Sequence, residues 1–467
     1  MKRQKITSSE LLCAICFALC FFAFMLTEAF INERCAVILG SSAVNPVYTF
    51  GLVCTGLGFF SFSLLRRLCK KEKSRKTAQI IIGVLCLGAA LVLLFADHPA
   101  LFLTSSAAAL LLTGHISGCV YYNTAMYFAG SRYTGRLIGM GMGAAILLQF
   151  VVQNLMPQSV AFIISIVFSV AFVMCFIIKA PKDWILENPL PYSSDAKKDF
   201  KKTLLLIVAV VLMSLVAGMI DSVLTAFNAE KSYDIYGGVR LFYALGLILA
   251  GVLADIRERK YLPLSTVCTI LLSSVCMFFL SNEVSYFAGT ALMYLYSGFY
   301  VIFLTVMFLD FAPKSSRPEL WAGMGRIVRS FTVAATVLPA FNIYGAVGNT
   351  VLAVVSCLLS ILILLVLLPY LSNAAVSLKP TEELISGSPE LSPQERLKLF
   401  AQYCSLTPRE TEVLEKLLTT EDGVQEIADS LYISRRMLQR YIASIYEKTE
   451  TKTRLGLFQR YMSFTTE

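Results

Sequence analysis

Arg435, Arg436, Gln439 and Arg440 stand close together near the C-terminus of this 467-residue chain. Their chemistry is that of nucleic-acid contact: a guanidinium serves phosphates or guanine edges, and a glutamine amide can read adenine. Local charge agrees. Residues 431–460 carry seven basic side chains against Glu447 and Glu450, whereas 406–430 carry Arg409 and Lys416 against seven carboxylates. On its own such a cluster is most often a solvated helix face, so the flanking elements have to decide. A second set lies inside apolar runs: Glu28, His115, Asp221, Asp310, Arg326 and Arg329. Ionisable groups are expensive in lipid and usually face a bundle interior. Glu28, Asp310 and Arg326 fall near span ends, where water or headgroups can meet them. Asp221 and His115 lie deeper and, with Glu28, form a candidate site for a small-molecule ligand. Catalytic signals are missing from the sequence: it has no nucleophile elbow, no phosphate loop and no metal-ligand spacing. Its thirteen cysteines are scattered, mostly in apolar runs, and it has two histidines. The expectation is a non-enzyme with no cofactor and no metal site.

The elements around the arginines are legible. Thr407-Pro408-Arg409-Glu410 starts a helix, with Thr407 as cap, Pro408 at the first position and Glu410 as the capping-box acid. Val413, Leu414, Leu417 and Leu418 recur at helical spacing. Asp422-Gly423 breaks that helix and opens another, whose inner face is Val424, Ile427, Ala428 and Leu431. Tyr432-Ile433-Ser434 makes a tight turn, and Ser434 caps a third helix from Arg435 to about Lys448. Two helices joined by such a turn form a helix-turn-helix, whose second helix enters the major groove.

Residues 406–464 resemble the LuxR-type DNA-binding domain. The matching segments are 406–410 (LTPRE), Glu412-Val413-Leu414, Glu426-Ile427-Ala428, Leu431-Tyr432-Ile433-Ser434 and Ile445-Tyr446-Glu447-Lys448. Three departures stand out: a longer loop before Val424, Met437-Leu438-Gln439-Arg440-Tyr441 in place of Thr-Val-Lys-x-His, and Thr449 in place of Leu. The resemblance implies a small four-helix domain that binds double-stranded DNA as a homodimer. It implies a DNA-facing set of Arg435, Arg436, Leu438, Gln439, Arg440, Ser444, Lys448, Lys452 and Arg454.

The rest of the chain is oil. With 57% hydrophobic and 15% charged residues, against about a quarter charged in soluble domains, it reads as a membrane protein. Spanning runs fall near 11–31, 46–65, 78–96, 100–128, 137–155 and 159–179. After a basic insert at 180–202 come 203–227, 236–254, 263–281, 286–309, 321–341 and 349–370. Twelve transmembrane helices in two six-helix halves are expected, with no cleaved leader. Arg66, Arg67, Lys70, Lys71, Lys73, Arg75 and Lys76, then Arg132 and Arg136, then Arg257, Arg259 and Lys260, then Lys314 and Arg317 all fall on one side. The positive-inside rule therefore places both termini in the cytoplasm of an inner membrane. Gly139-Met140-Gly141 and Gly323-Met324-Gly325 echo each other between halves and suit close helix packing. After the eighth run, Gly251-Val252-Leu253-Ala254-Asp255-Ile256-Arg257-Glu258-Arg259-Lys260 resembles the cytoplasmic loop motif G-x-x-x-D-R-x-G-R-K of the major facilitator superfamily. Gly251, Asp255, Arg257, Arg259 and Lys260 carry it, and the loop at 64–71 keeps charge without the Gly and Asp.

The organisation expected is a membrane domain at 1–371, a Ser/Pro/Glu-rich linker at 372–392 and a DNA-binding domain at 393–467, all-α throughout. The function implied is a membrane-bound transcriptional regulator whose bundle senses a small molecule or the state of the membrane. The alternative is a secondary transporter with a regulatory DNA-binding tail.

Overall fold

The computed structural model describes residues 6, 8–69, 71–129, 131–179, 196–229, 237–257, 259–279, 283–376, 393–420, 422–449, 451 and 453–462. The chain divides into two compact units, residues 1–376 and 377–467. Twelve α-helices form the first among the described residues. They are α1 (Ser8–Ile38), α2 (Val44–Leu68), α3 (Glu72–Phe95), α4 (Pro99–Tyr127), α5 (Thr134–Leu155), α6 (Gln158–Lys179), α7 (Ala196–Ala229), α8 (Arg240–Ala254), α9 (Tyr261–Cys276), α10 (Glu283–Phe311), α11 (Pro318–Val347) and α12 (Asn349–Val376).

A run of apolar side chains in lipid becomes helix because only helix satisfies every backbone amide within the segment. Nine of the helices are long and apolar enough to cross a membrane; the apolar stretches Phe162–Ile178, Arg240–Ala254 and Tyr261–Cys276 are shorter. At 1.5 Å per residue, α8 covers about 22 Å, less than the ~30 Å of a hydrocarbon core. The expected twelve spans are thus twelve helices, nine of full spanning length.

Apolar side chains cover the outside as well as filling the core, and polar ones are taken inside. Val84, Leu155, Phe168 and Leu358 lie on the outside, while Thr55, Ser117, Thr124, Gln149, Ser214 and Ser360 are buried. Where two helices must touch, glycine lets them: a Cβ on Gly139 would stand 2.7 Å from the Gly251 Cα, so α5 and α8 cross backbone to backbone.

Two element boundaries differ from the sequence reading. Residues 196–202, placed in the polar insert, are the first turns of α7. Their lysines are good helix formers and no proline stands between Pro191 and the end of α7. Residues 372–376, placed in the linker, continue α12, which runs on past Pro369. The remainder of the linker lies outside the described residues.

The second unit holds α13 (Pro393–Tyr403), α14 (Pro408–Thr419), α15 (Val424–Ser430), α16 (Arg435–Lys448) and α17 (Arg454–Met462). Phe400, Leu414, Ile427, Ala428, Leu438, Ile445 and Leu457 form its core.

Candidate DNA-binding face and membrane cavity

In the C-terminal unit α14 starts as its residues dictate. The Thr407 Oγ1 accepts the Glu410 amide at 3.3 Å, and Glu410 Oε2 accepts the Thr407 amide at 2.7 Å. Glu410 is buried and does more than cap. Its carboxylate also accepts Ser444 Oγ at 2.6 Å and Lys448 Nζ at 2.7 Å, which ties α14 to α16. Burial opposes ionisation of this acid, but the hydrogen bonds from Lys448, Ser444 and Thr407 outweigh it and lower its pKa from 4.5 to about 2.

The turn between α15 and α16 is a Schellman cap. Ile433 N–H donates to the Ala428 carbonyl at 3.0 Å and Tyr432 N–H to the Asp429 carbonyl at 3.2 Å. Tyr432 occupies the left-handed position at φ 53°, which glycine usually fills, and its side chain is 97% exposed. Ser434 then caps α16, its Oγ accepting the Met437 amide at 3.3 Å.

On α16, Arg435, Arg436, Gln439 and Arg440 are all exposed. They form one polar face at the N-terminal end of the second helix of the motif, the geometry of a major-groove reader. Other members of the expected DNA-facing set lie elsewhere. Leu438 is fully buried in the core, since the helix turns it to the same side as Ile445. Ser444 and Lys448 are engaged by Glu410. Arg454 donates to the Leu417 carbonyl at 2.9 Å, the Asp422 carbonyl at 2.8 Å and the Thr420 carbonyl, closing the end of α14. Lys452 lies outside the described residues. Thr449, the departure from Leu, is buried and satisfies its hydroxyl on the Ile445 carbonyl at 2.7 Å.

In the membrane unit, Glu28 and Asp221 come together and His115 does not. A cavity of about 90 Å³ between the halves is lined by Glu28 of α1, Tyr48 of α2, Asp221 of α7, Arg240 and Tyr243 of α8, Tyr294 and Tyr300 of α10 and Arg329 of α11. Asp221 accepts Tyr48 OH at 3.0 Å and Arg329 Nη2 at 3.2 Å. Arg240 donates to Gln149 Oε1 at 3.1 Å and lies 5.7 Å from the Tyr243 and Tyr294 ring centroids. His115 sits instead between α2 and α3. Its Nδ1 meets Ser61 Oγ at 2.8 Å and its Nε2 meets the Gln79 amide at 3.3 Å. Arg326, expected near a span end, is buried, donating to Tyr121 OH at 2.8 Å. The sequence reading missed Arg240 and the tyrosines, because only the folding together of the two halves makes them neighbours.

The loop motif is a fastening. Asp255 accepts the Gly135 and Arg136 amides, each at 2.8 Å, and so caps the first turn of α5. Arg259, at φ 71°, pairs with Asp255 and lies 2.6 Å from Asp310 at the end of α10. Gly251 lies against α5 as described, Arg257 is exposed, and Lys260 immediately precedes α9. The corresponding seam on α2 has reversed polarity: Arg67 Nε meets Glu319 Oε1 of α11 at 3.2 Å, and Arg66 lies 4.0 Å over the Tyr122 ring.

Fold and site define a class: a polytopic membrane bundle joined in one chain to a helix-turn-helix domain. Comparison with known proteins gives each part its relatives. The model for bacterial regulatory proteins of the luxR family matches residues 404–460, so the C-terminal unit is a LuxR-type DNA-binding domain. The crystal structure of the human organic anion transporter MFSD10 (TETRAN) superposes with a TM-score of 0.55 at 13% identity, covering 77% of this chain and 98% of that one. The membrane unit therefore has a major facilitator-type fold. No curated protein sequence matches the chain.

Proposed function

We propose that this protein is a membrane-bound transcriptional regulator whose bundle senses a small molecule through the cavity at Glu28, Asp221 and Arg329. The observation that carries this reading is the LuxR-type domain at 404–460, with Arg435, Arg436, Gln439 and Arg440 exposed on α16, in the same chain as a multi-pass bundle. DNA and the lipid bilayer are the partners these two parts imply. The chain sits in the inner membrane with both termini in the cytoplasm, in keeping with the placement of its basic loops. It binds DNA as a homodimer and catalyses no reaction. Ligand binding biases how the two halves pack, and residues 377–392 relay that bias to the DNA-binding unit. Transport is the weaker reading, since a fold shared at 13% identity carries no activity with it.

Genome-wide occupancy of the full-length protein tests the proposal, beside a variant carrying Arg436→Ala, Gln439→Ala and Arg440→Ala. Discrete peaks lost in the variant are expected. Absence of peaks from the wild type across growth conditions, together with saturable uptake in proteoliposomes, would establish the transporter instead.

A further inference from the structure

The cavity's own chemistry specifies more than its position. Among the described residues its lining carries two carboxylates, Glu28 and Asp221, and two guanidinium groups, Arg240 and Arg329. Its internal pairing is uneven. Asp221 is already held by Tyr48 and Arg329, whereas among the described residues no hydrogen bond or ion pair reaches the Glu28 carboxylate. Arg329 in turn engages Asp221 through Nη2 alone, and its Nε is buried without a hydrogen bond. Among the described residues the cavity thus holds an acceptor without a donor, at Glu28, and a donor without an acceptor, at Arg329. At membrane depth, groups left in that state are costly.

We infer, building on the sensor reading above, that the ligand is a small zwitterion. Its ammonium group lies against Glu28 and its carboxylate against Arg329. A simple cation would answer Glu28 and leave the Arg329 donor unmet; a simple anion would answer Arg329 and leave Glu28 without a donor. A zwitterion satisfies both groups and adds no net charge. Size limits it further. A cavity of about 90 Å³ admits only a small, compact ligand. That is the frame of a free α-amino acid with a short side chain, which Ser297, Asn32 and the tyrosine hydroxyls can meet with hydrogen bonds.

The test is calorimetric titration of the full-length protein in nanodiscs with L-serine, L-threonine and L-asparagine. Each is run beside its carboxamide, which keeps the ammonium and lacks the carboxylate. Each is also run beside its 2-hydroxy acid, which keeps the carboxylate and lacks the ammonium. At least one amino acid is expected to bind tenfold or more tightly than both of its one-charge analogues. Glu28→Gln should weaken that amino acid about tenfold or more while sparing the hydroxy acid, and Arg329→Gln should spare the carboxamide, because each removes a single charge-assisted contact. Glu28→Asp, which keeps the charge, should retain measurable binding and controls for misfolding. Carboxamides binding as tightly as the amino acids would make the site a cation site and overturn the inference. Equal binding by the hydroxy acids, or binding by no member of the panel, would overturn it too. Promoter occupancy measured on the same preparations separates the two claims. Occupancy without amino-acid binding sinks only the ligand class, and loss of occupancy in the wild type sinks the regulator reading itself.

Discussion

Glu410 offers the sharpest check on how the DNA-binding unit is held together. Replacing it by Gln keeps the shape and the capacity to cap Thr407, but removes the charge that Ser444 and Lys448 share. The Ser444 hydrogen bond loses an ionised acceptor, about 1 kcal/mol. The Lys448 pair contributes about 1 kcal/mol once screening is allowed for, since the lysine side chain is 32% exposed. The expected loss is about 2 kcal/mol, confined to the α14–α16 contact and equal to roughly a thirtyfold rise in local opening. Hydrogen–deuterium exchange on the full-length protein reads it: amides of α14 and α16 should exchange about thirtyfold faster, and those of the membrane unit should not change. The pH dependence has a fixed sign. An acid whose pKa falls from 4.5 to about 2 on folding contributes stability above pH 4.5 and loses it as pH drops through 2. Wild-type protection in α14 and α16 should therefore fall across that window, and the Gln variant should lack that component. A variant whose exchange rises less than about threefold, or whose loss of protection on acidification equals that of the wild type, would refute the reasoning.

Two further outcomes follow from the same unit. Tyr432→Gly relieves a left-handed residue at the Schellman cap and should stabilise the α15–α16 turn by about 1 kcal/mol, read as roughly fivefold slower exchange there. Arg454→Ala removes three donations to the carbonyls at the end of α14 and should cost about 2 kcal/mol of local stability; DNA affinity should fall only as far as the folded fraction does.

The helix-turn-helix was readable because its signals are local. Thr407, Pro408 and Glu410 announce a helix start whatever surrounds them, and Ser434 does the same for α16. The facing of residues within α16 was misjudged at Leu438, placed among the DNA-facing residues although it and Ile445 are seven apart and so share the core side. The roles of Ser444, Lys448 and Arg454 were hidden, since each depends on a partner more than thirty residues away. The membrane helices were legible from apolar run length, their polar first turns and tails less so, because helix runs through the lysines that open α7 and past Pro369 in α12, where composition alone signals an end. The cavity was half legible. Glu28 and Asp221 betray themselves by being charged inside oil, as does His115, yet composition cannot tell a residue facing the seam between halves from one closing a local contact with Ser61 and Gln79. Arg240 stood at the edge of its run and gave no such signal.

The opposed polarity of the two seams between the halves bears on how the bundle assembles. At one, Asp255 meets the amides that open α5, with Arg136 close by. At the other, Arg67 meets Glu319 at the opening of α11. Were a half to dock on a copy of itself instead, Asp255 would confront Glu319 in the one case and Arg67 would confront Arg136 in the other, like against like both times. A chain built from two similar sets of six helices has a wrong partner for every right one, and nascent helices reach the bilayer before their mates are made. The crossed charges act as an address label, so that each half recognises the other by what it repels as well as by what it holds.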